Sequence, residues 1–384
     1  MQITITRNFS EWAQQDIFLQ KLEFKRELAK GNYTRDHIRQ IRSYGIPINS
    51  LALTHALMRN YCEVGLACFS QIRFICWFWD NGDKIIYPLN SNNQLYLGND
   101  SNFWCQFWPF LKQINHNTYE CKLIASDQGI IWADKDSYTL GLGGQSHFGH
   151  FVTNRVAALN QSNLAYPYIS SLKTILVPTN YLKLHECILA SILGGTPKKF
   201  KEFSNEAKIY TFKNVVVPCI DEHYNAITGL QGVLEQNYTN RSIENNKKVY
   251  ITRAEKEDND RLYKYKDFTL MLHKLGFIIV NPINLSFKER LELIGNSQFI
   301  LTDSGSCSLN GLLFGNSLSR VKQMIPRRVI SSTDESVINQ LCMGFNQGVK
   351  GQWLVLEAEI ESIVNPWYDI CIPPSRTMLE KFIY

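Results

Sequence analysis

From residue 170 onward the chain alternates short apolar runs with longer amphipathic stretches, and this alternation limits the fold more than any other feature. "LKTILVPT", "KIYTFKNVVVPC", "KVYITR", "FIIVNP" and "QFILTD" have the length and β-branched content of strands. "YLKLHECILASILGG", "DRLYKYKDFTLMLHKLG" and "SFKERLELIGNS" carry apolar residues at helical spacing. The first two stop at glycine, and the third opens on Ser286 as N-cap. Strands alternating with helices of about 10–15 residues build βαβ units on a parallel sheet, so the class is α/β.

The N-terminal part reads differently. "NFSEWAQQDIFLQKL", with Ser10 as N-cap, and "PINSLALTHALMRNYCEVGLACFSQ" predict helices over the first ~70 residues. "RFICWFWD", "DKIIYPL", "TYECKLIA" and "GIIWADKDSYTLGL" follow as strands, and "HFVTNRVAALNQ" as a helix. A chain of 384 residues exceeds one ordinary core, which predicts two domains. "GGTPKKFKEF" and the polar "NYTNRSIENNKK" break the pattern between them. The expected domains are 1–215 and 216–364, with the tail 365–384, "NPWYDICIPPSRTMLEKFIY", packing back on the first.

With 45% hydrophobic and 20% charged residues the chain is globular, not disordered. Its net charge of +5 suits an anionic ligand or an anionic membrane surface. Nucleic acid is not an expected partner, because the basic residues are dispersed and no recognition motif occurs. The opening "MQITITRNFSEWAQQ" lacks the features of a signal peptide, and no window approaches the ~20 apolar residues of a spanning helix. A cytoplasmic location follows as an expectation. The ten cysteines form no CxxC pair, so reduced thiols are expected rather than a zinc or redox site.

One junction stands out. "ILTDSGSCSLNGLLFG" runs from strand to helix through Asp303-Ser304-Gly305-Ser306. In open α/β sheets ligands bind where strands end and helices begin, and a helix N-terminus offers unpaired N–H groups to a phosphate. Gly305 permits close backbone approach, Ser304 and Ser306 can donate hydroxyls, and Asn310 lies one turn further on. A plain βα turn uses the same small residues. Arg253 ends the strand "KVYITR" and Arg261 stands before the next helix, so the two could clamp a diphosphate in bidentate fashion. Alternatively they answer the acidic run Glu255, Glu257, Asp258 and Asp260 in solvent.

Taken together, "VYITR", the second arginine and "LMLHKLGFIIVNPINLSFKERLELIGNSQFILTDSGSCSLNGLLFG" resemble the core of glycosyltransferase family 61, the DUF563 group. The likeness covers about residues 247–316, with a looser likeness at "GGQSHFGHFVTNRVAAL". Two positions depart from the family pattern: Tyr265-Lys266 replaces a common Asn-Glu, and Arg290 replaces a common Gln. The resemblance implies a GT-B architecture, with two Rossmann-like domains facing a central cleft. It also implies a nucleotide-sugar donor, a UDP-sugar first among them, held by the C-terminal domain. Transfer would be inverting, with no essential metal and no other cofactor. Arg253, Arg261, Ser304, Gly305, Ser306 and Asn310 become donor-site candidates on the matched positions.

Inverting transfer needs a base for the acceptor hydroxyl and charge stabilisation for the leaving nucleotide. His147 and His150 bracket "HFGH" in the Gly-rich loop "GLGGQSHFGHF", and His150 matches the family's motif. Either is a candidate base or phosphate ligand, and either could equally be a structural histidine. Asp221, Glu222 and His223 form a weaker set. The triplets Asp134-Lys135-Asp136 and Asp258-Asn259-Asp260 resemble metal-binding D-x-D, a pattern that charged loops also produce by chance. Trp104, Phe107, Trp108 and Phe110 read as core or as an interfacial patch. The expected protein is a bacterial transferase of surface-glycan assembly (lipooligosaccharide, O-antigen or capsule). Its acceptor would be a glycan or lipid-linked glycan, met at the inner face of the cytoplasmic membrane. The competing expectation is a non-catalytic nucleotide- or glycan-binding member of an assembly complex.

Overall fold

The computed structural model describes residues 1–6, 8–28, 61–78, 84–97, 110–115, 117–122, 130–132, 137–139, 148, 151–156, 159, 174–178, 183–193, 196–200, 208–219, 233–234, 244–252, 265–303, 305–316, 318–328, 353–361, 363 and 370–383. Two compact units divide the chain. One combines Met1–Leu28 with Tyr61–Ala226, and the other includes everything from Ile227 to Tyr384. Among the described residues no helix is long and apolar enough to cross a membrane.

The N-terminal unit contains β1 (Gln2–Thr6), α1 (Phe9–Gln14), β2 (Leu19–Leu28), β3 (Tyr61–Phe78), β4 (Lys84–Leu89), β5 (Gln94–Tyr96), β6 (Leu111–Asn115), β7 (Thr118–Cys121), β8 (Ile130–Trp132) and β9 (Ser137–Thr139). A π-helical turn at Phe151–Val156 precedes β10 (Thr174–Pro178), α2 (Lys183–Leu193), β11 (Thr196–Phe200) and β12 (Lys208–Pro218). The strands form one mixed sheet in the order β11-β10-β9-β12-β3-β4-β5-β1-β7-β6, with β2 added on β3 and β8 on β12. Strand β3 organises it, pairing antiparallel with β2, β4 and β12. Phe9, Trp12 and Ala13 of α1 fall on one side at helical spacing and pack with Ala67, Phe69, Tyr96, Tyr210 and Phe212.

Several expectations change here. Residues 61–71 form strand, not helix. Buried positions run together at Gly65, Leu66 and Ala67, so the alternation that marks a strand is lost. Helix α1 is capped by Asn8, whose Oδ1 accepts from the Glu11 amide at 3.0 Å, and Ser10 lies inside the first turn. "TPKKF" belongs to the sheet as β11, parallel to β10, instead of marking a linker. A Rossmann-like N-terminal domain would be parallel throughout, whereas this sheet is mixed. Phe110 is buried in the cluster of Ile3, Leu89, Leu95 and Tyr119, which favours core packing for that aromatic. Trp104, Phe107 and Trp108 lie outside the described residues.

In the C-terminal unit the alternation is realised. It runs β13 (Glu244–Ile251), α3 (Tyr265–Lys274), β14 (Phe277–Val280), a 3-10 turn at Pro282–Asn284, α4 (Phe287–Leu293), β15 (Ser297–Asp303), α5 (Ser306–Phe314), β16 (Arg320–Pro326) and β17 (Trp353–Leu356). A small antiparallel pair, β18 (Ala358–Ile360) with β19 (Ile370–Cys371), and α6 (Arg376–Ile383) complete it. Five strands form a sheet in the order β14-β13-β15-β16-β17, and every pairing is parallel. The chain leaves β13 for β14 on one side, then crosses to β15 on the other. The sheet is therefore doubly wound, and its direction reverses between β13 and β15.

Helices cover both faces. Tyr250, Phe299, Leu301, Met324, Leu354 and Leu356 pack with Phe268 and Leu272 of α3 and with Leu379 and Ile383 of α6. Helix α6 of the tail thus packs its apolar face, Leu379 and Ile383, on this unit's own core. Helix α5 lies on the opposite face, so close that a Cβ on Gly311 would come within 2.9 Å of Thr302 Cγ2. Helix α4 starts with a full capping box between Ser286 and Glu289, as its sequence predicts.

Candidate active site

In open α/β sheets ligands bind at the carboxyl ends of the strands where the order reverses, which here lies between β13 and β15. Ile251 sits beside Thr302 in the register, so Thr252 and Asp303 form the next rung. Both residues are buried. Asp303 Oδ1 accepts from Tyr250 Oη at 2.5 Å, and its Oδ2 accepts from Thr252 Oγ1 at 2.7 Å. The Thr252 amide donates to the Val280 carbonyl of β14 at 3.0 Å, so three strand ends are held together. The next residues in sequence are Arg253 and Ser304. These two, together with Arg261, lie outside the described residues, as does the side chain of Ser306.

Gly305 stands at the N-cap of α5 with φ 81 and ψ −140, a conformation open to glycine and strained for other residues. Among the described residues no side chain caps this helix. The first-turn amides of a helix have no partner within the helix, and here the turn leads straight from the switch point, which suits an anion. The Ser308 hydroxyl turns back to the Gly305 carbonyl at 2.6 Å and stabilises the turn from within.

Asn310 has a partner within the protein. It is buried, and its Oδ1 accepts from Arg290 Nη1. Arg290, on α4, also donates to the carbonyls of Leu285 and Pro282, and its guanidinium lies 5.6 Å from the Phe314 ring centroid. Burial pushes its pKa down to about 10. Two positions of the quoted motif, the departing Arg290 and Asn310, are thus in contact and lock α5 to α4. Tyr265-Lys266, the other departure, forms the first turn of α3.

His147 and His150 lie outside the described residues, as do Asp134, Asp136, Asp221, Glu222, His223, Asp258 and Asp260. Their neighbours are informative. Phe151 is buried and stacks on His185 of α2, with centroids 3.9 Å apart and planes at 9°. Phe148 lies 6.1 Å from the same ring. Sequence reasoning passed over His185, which looks like one more residue of an apolar helix. It also passed over Asp303, whose only signal was an acid ending an apolar strand. Among the described residues no group of His, Cys, Asp and Glu could hold a metal ion.

A family model described as Glycosyltransferase 61 matches residues 148–321, somewhat less than half of the chain. Residues 148–321 carry a glycosyltransferase 61 segment. The resemblance seen in the sequence is confirmed, and glycosyltransfer is the activity this family supports. No curated protein matches the chain. The glycosyltransferase 61 segment includes His150, Arg253, Arg261, the Ser304–Ser306 turn and Asn310, and it begins one residue after His147. It spans α2 with its stacked His185 and continues through the switch point as far as β16.

Proposed function

We propose that the protein is an inverting, metal-independent glycosyltransferase that moves a sugar from a nucleotide-sugar donor, of the UDP-sugar class, to a glycan acceptor. The observation that carries this is the strand order β14-β13-β15-β16-β17, which brings the ends of β13 and β15 side by side. Arg253 and the Ser304-Gly305-Ser306 turn come directly after those two ends in sequence. The donor diphosphate would take the N-terminus of α5, with Arg253 and Arg261 as its counter-charges.

In this mechanism the acceptor hydroxyl attacks C1 of the donor sugar in one displacement and the nucleotide leaves with the electron pair. His150 takes the hydroxyl proton, or donates to the diphosphate; His147 is the second candidate. The arginines and the helix N-terminus stabilise the charge that grows on the leaving phosphate, the task a metal performs elsewhere. A place in bacterial surface-polysaccharide assembly and a lipid-linked acceptor at the inner membrane face complete the proposal. They rest on the family likeness.

The test is a titration of UDP, GDP, CMP and ADP, with and without EDTA, on the wild type and on Arg253→Ala. Binding that survives EDTA and is lost in Arg253→Ala supports the donor site. Binding that needs a divalent metal would move the role to a D-x-D triplet. Donor hydrolysis separates an enzyme from a non-catalytic nucleotide binder, which the Tyr265-Lys266 departure keeps in view.

A further inference from the structure

We propose that Asp303 is a positioning residue for the donor diphosphate, acting through Thr252 and Tyr250; this rests on the donor site proposed above. The carboxyl group is buried at the last described rung of the β13–β15 pair, one residue before the phosphate turn. Each of its oxygens accepts a hydroxyl from β13, and one of these hydroxyls belongs to the residue before Arg253. A carboxylate only accepts, so it fixes the direction of both O–H donors at once. The two strand ends, at Thr252 and Asp303, are thereby held at a set separation and orientation.

Strand pairing alone does not call for this arrangement. The main-chain ladder already joins Ile251 to Thr302, and the core of this face is apolar around Tyr250 and Leu301. Burying a carboxyl group costs free energy, and well-packed apolar residues commonly hold a fold as firmly. A buried acid at the rung where the two strands end is explained by a need to fix those ends, which Arg253 and Ser304 follow in sequence. The sheet has four parallel pairings, and this one carries both candidate phosphate-binding ends. Small misplacements of binding groups weaken a site strongly, so holding them is a function in itself.

The experiment measures affinity for whichever of UDP, GDP, CMP and ADP binds the wild type most tightly. The variants are Asp303→Asn, Thr252→Val, Thr252→Ser and the double variant Asp303→Asn/Thr252→Val, each assayed well below its own unfolding midpoint. Asp303→Asn and Thr252→Val are expected to bind roughly tenfold more weakly, the scale of one hydrogen bond to a charged group. Thr252→Ser, which keeps the hydroxyl, is expected to restore most of the affinity. The double variant should add little to either single change, since both remove the same interaction. If the folded variants bind as the wild type does, the carboxyl only braces the sheet and the inference falls while the donor site stands. If the wild type binds no nucleotide, both fall. Should Asp303→Asn fail to fold, the Val and Ser variants at position 252 decide alone.

Discussion

At the scale of single residues, Gly305 and Arg290 carry the clearest consequences. Gly305→Ala would meet no atom within 4 Å, so any loss reports the backbone angle alone. A non-glycine residue held at this φ and ψ costs about 1–3 kcal/mol, and urea unfolding of Gly305→Ala should show a loss in that range. Arg290→Ala removes donors from Asn310, Pro282 and Leu285 at once. A loss of about 3 kcal/mol is expected by the same measurement, since buried acceptors left without donors are costly. The phosphate turn was legible because its signal is local: small residues between an apolar strand and an apolar helix. Asp303 was not, because its meaning depends on two hydroxyls that lie about fifty residues earlier and reach it only through the sheet. The Arg290 contact of Asn310 was hidden for the same reason, since the guanidinium comes from another helix.

Among the elements, α6 offers a pH test. Lys322 of β16 reaches the Phe382 carbonyl on α6 and lies over the rings of Phe299 and Phe382. Burial, helped by nearby Arg320, pushes its pKa down to about 8. The unfolded chain, titrating near 10.4, then binds more protons than the folded one between roughly pH 8 and 10.4. Burying the charged amine is a full cost below pH 8, and that cost is relieved as pH rises through this window. Urea midpoints at pH 7.5 and 9.5 should therefore rise more, or fall less, for the wild type than for Lys322→Met. Equal changes would mean that the amine is not desolvated. The elements of the C-terminal unit were readable because each carries its own signal: the Ser286 cap, short β-branched runs and amphipathic helices. Strand β3 was not, because long-range partners decide its state. With both faces covered near Gly65, its apolar residues match a helix as well as a strand.

For the whole molecule, two units with separate apolar cores predict two transitions in calorimetry. A nucleotide at about a hundred times its dissociation constant stabilises its own unit by about 2.7 kcal/mol. That should raise one transition by roughly 5–10 °C. A rise in both would mean that they unfold as one body. The N-terminal sheet also has a consequence for how the chain is made. Along one edge, β3 pairs with β12 from Leu66↔Pro218 to Cys76↔Lys208. During synthesis β12 emerges about 130 residues after its partner, a wait on the order of 7–26 seconds at ordinary translation speeds. Throughout that interval a long, apolar strand edge stands open to any neighbouring nascent chain. The yield of soluble protein should therefore depend on translation rate and on chaperones that shield nascent strands, even where the finished fold is stable.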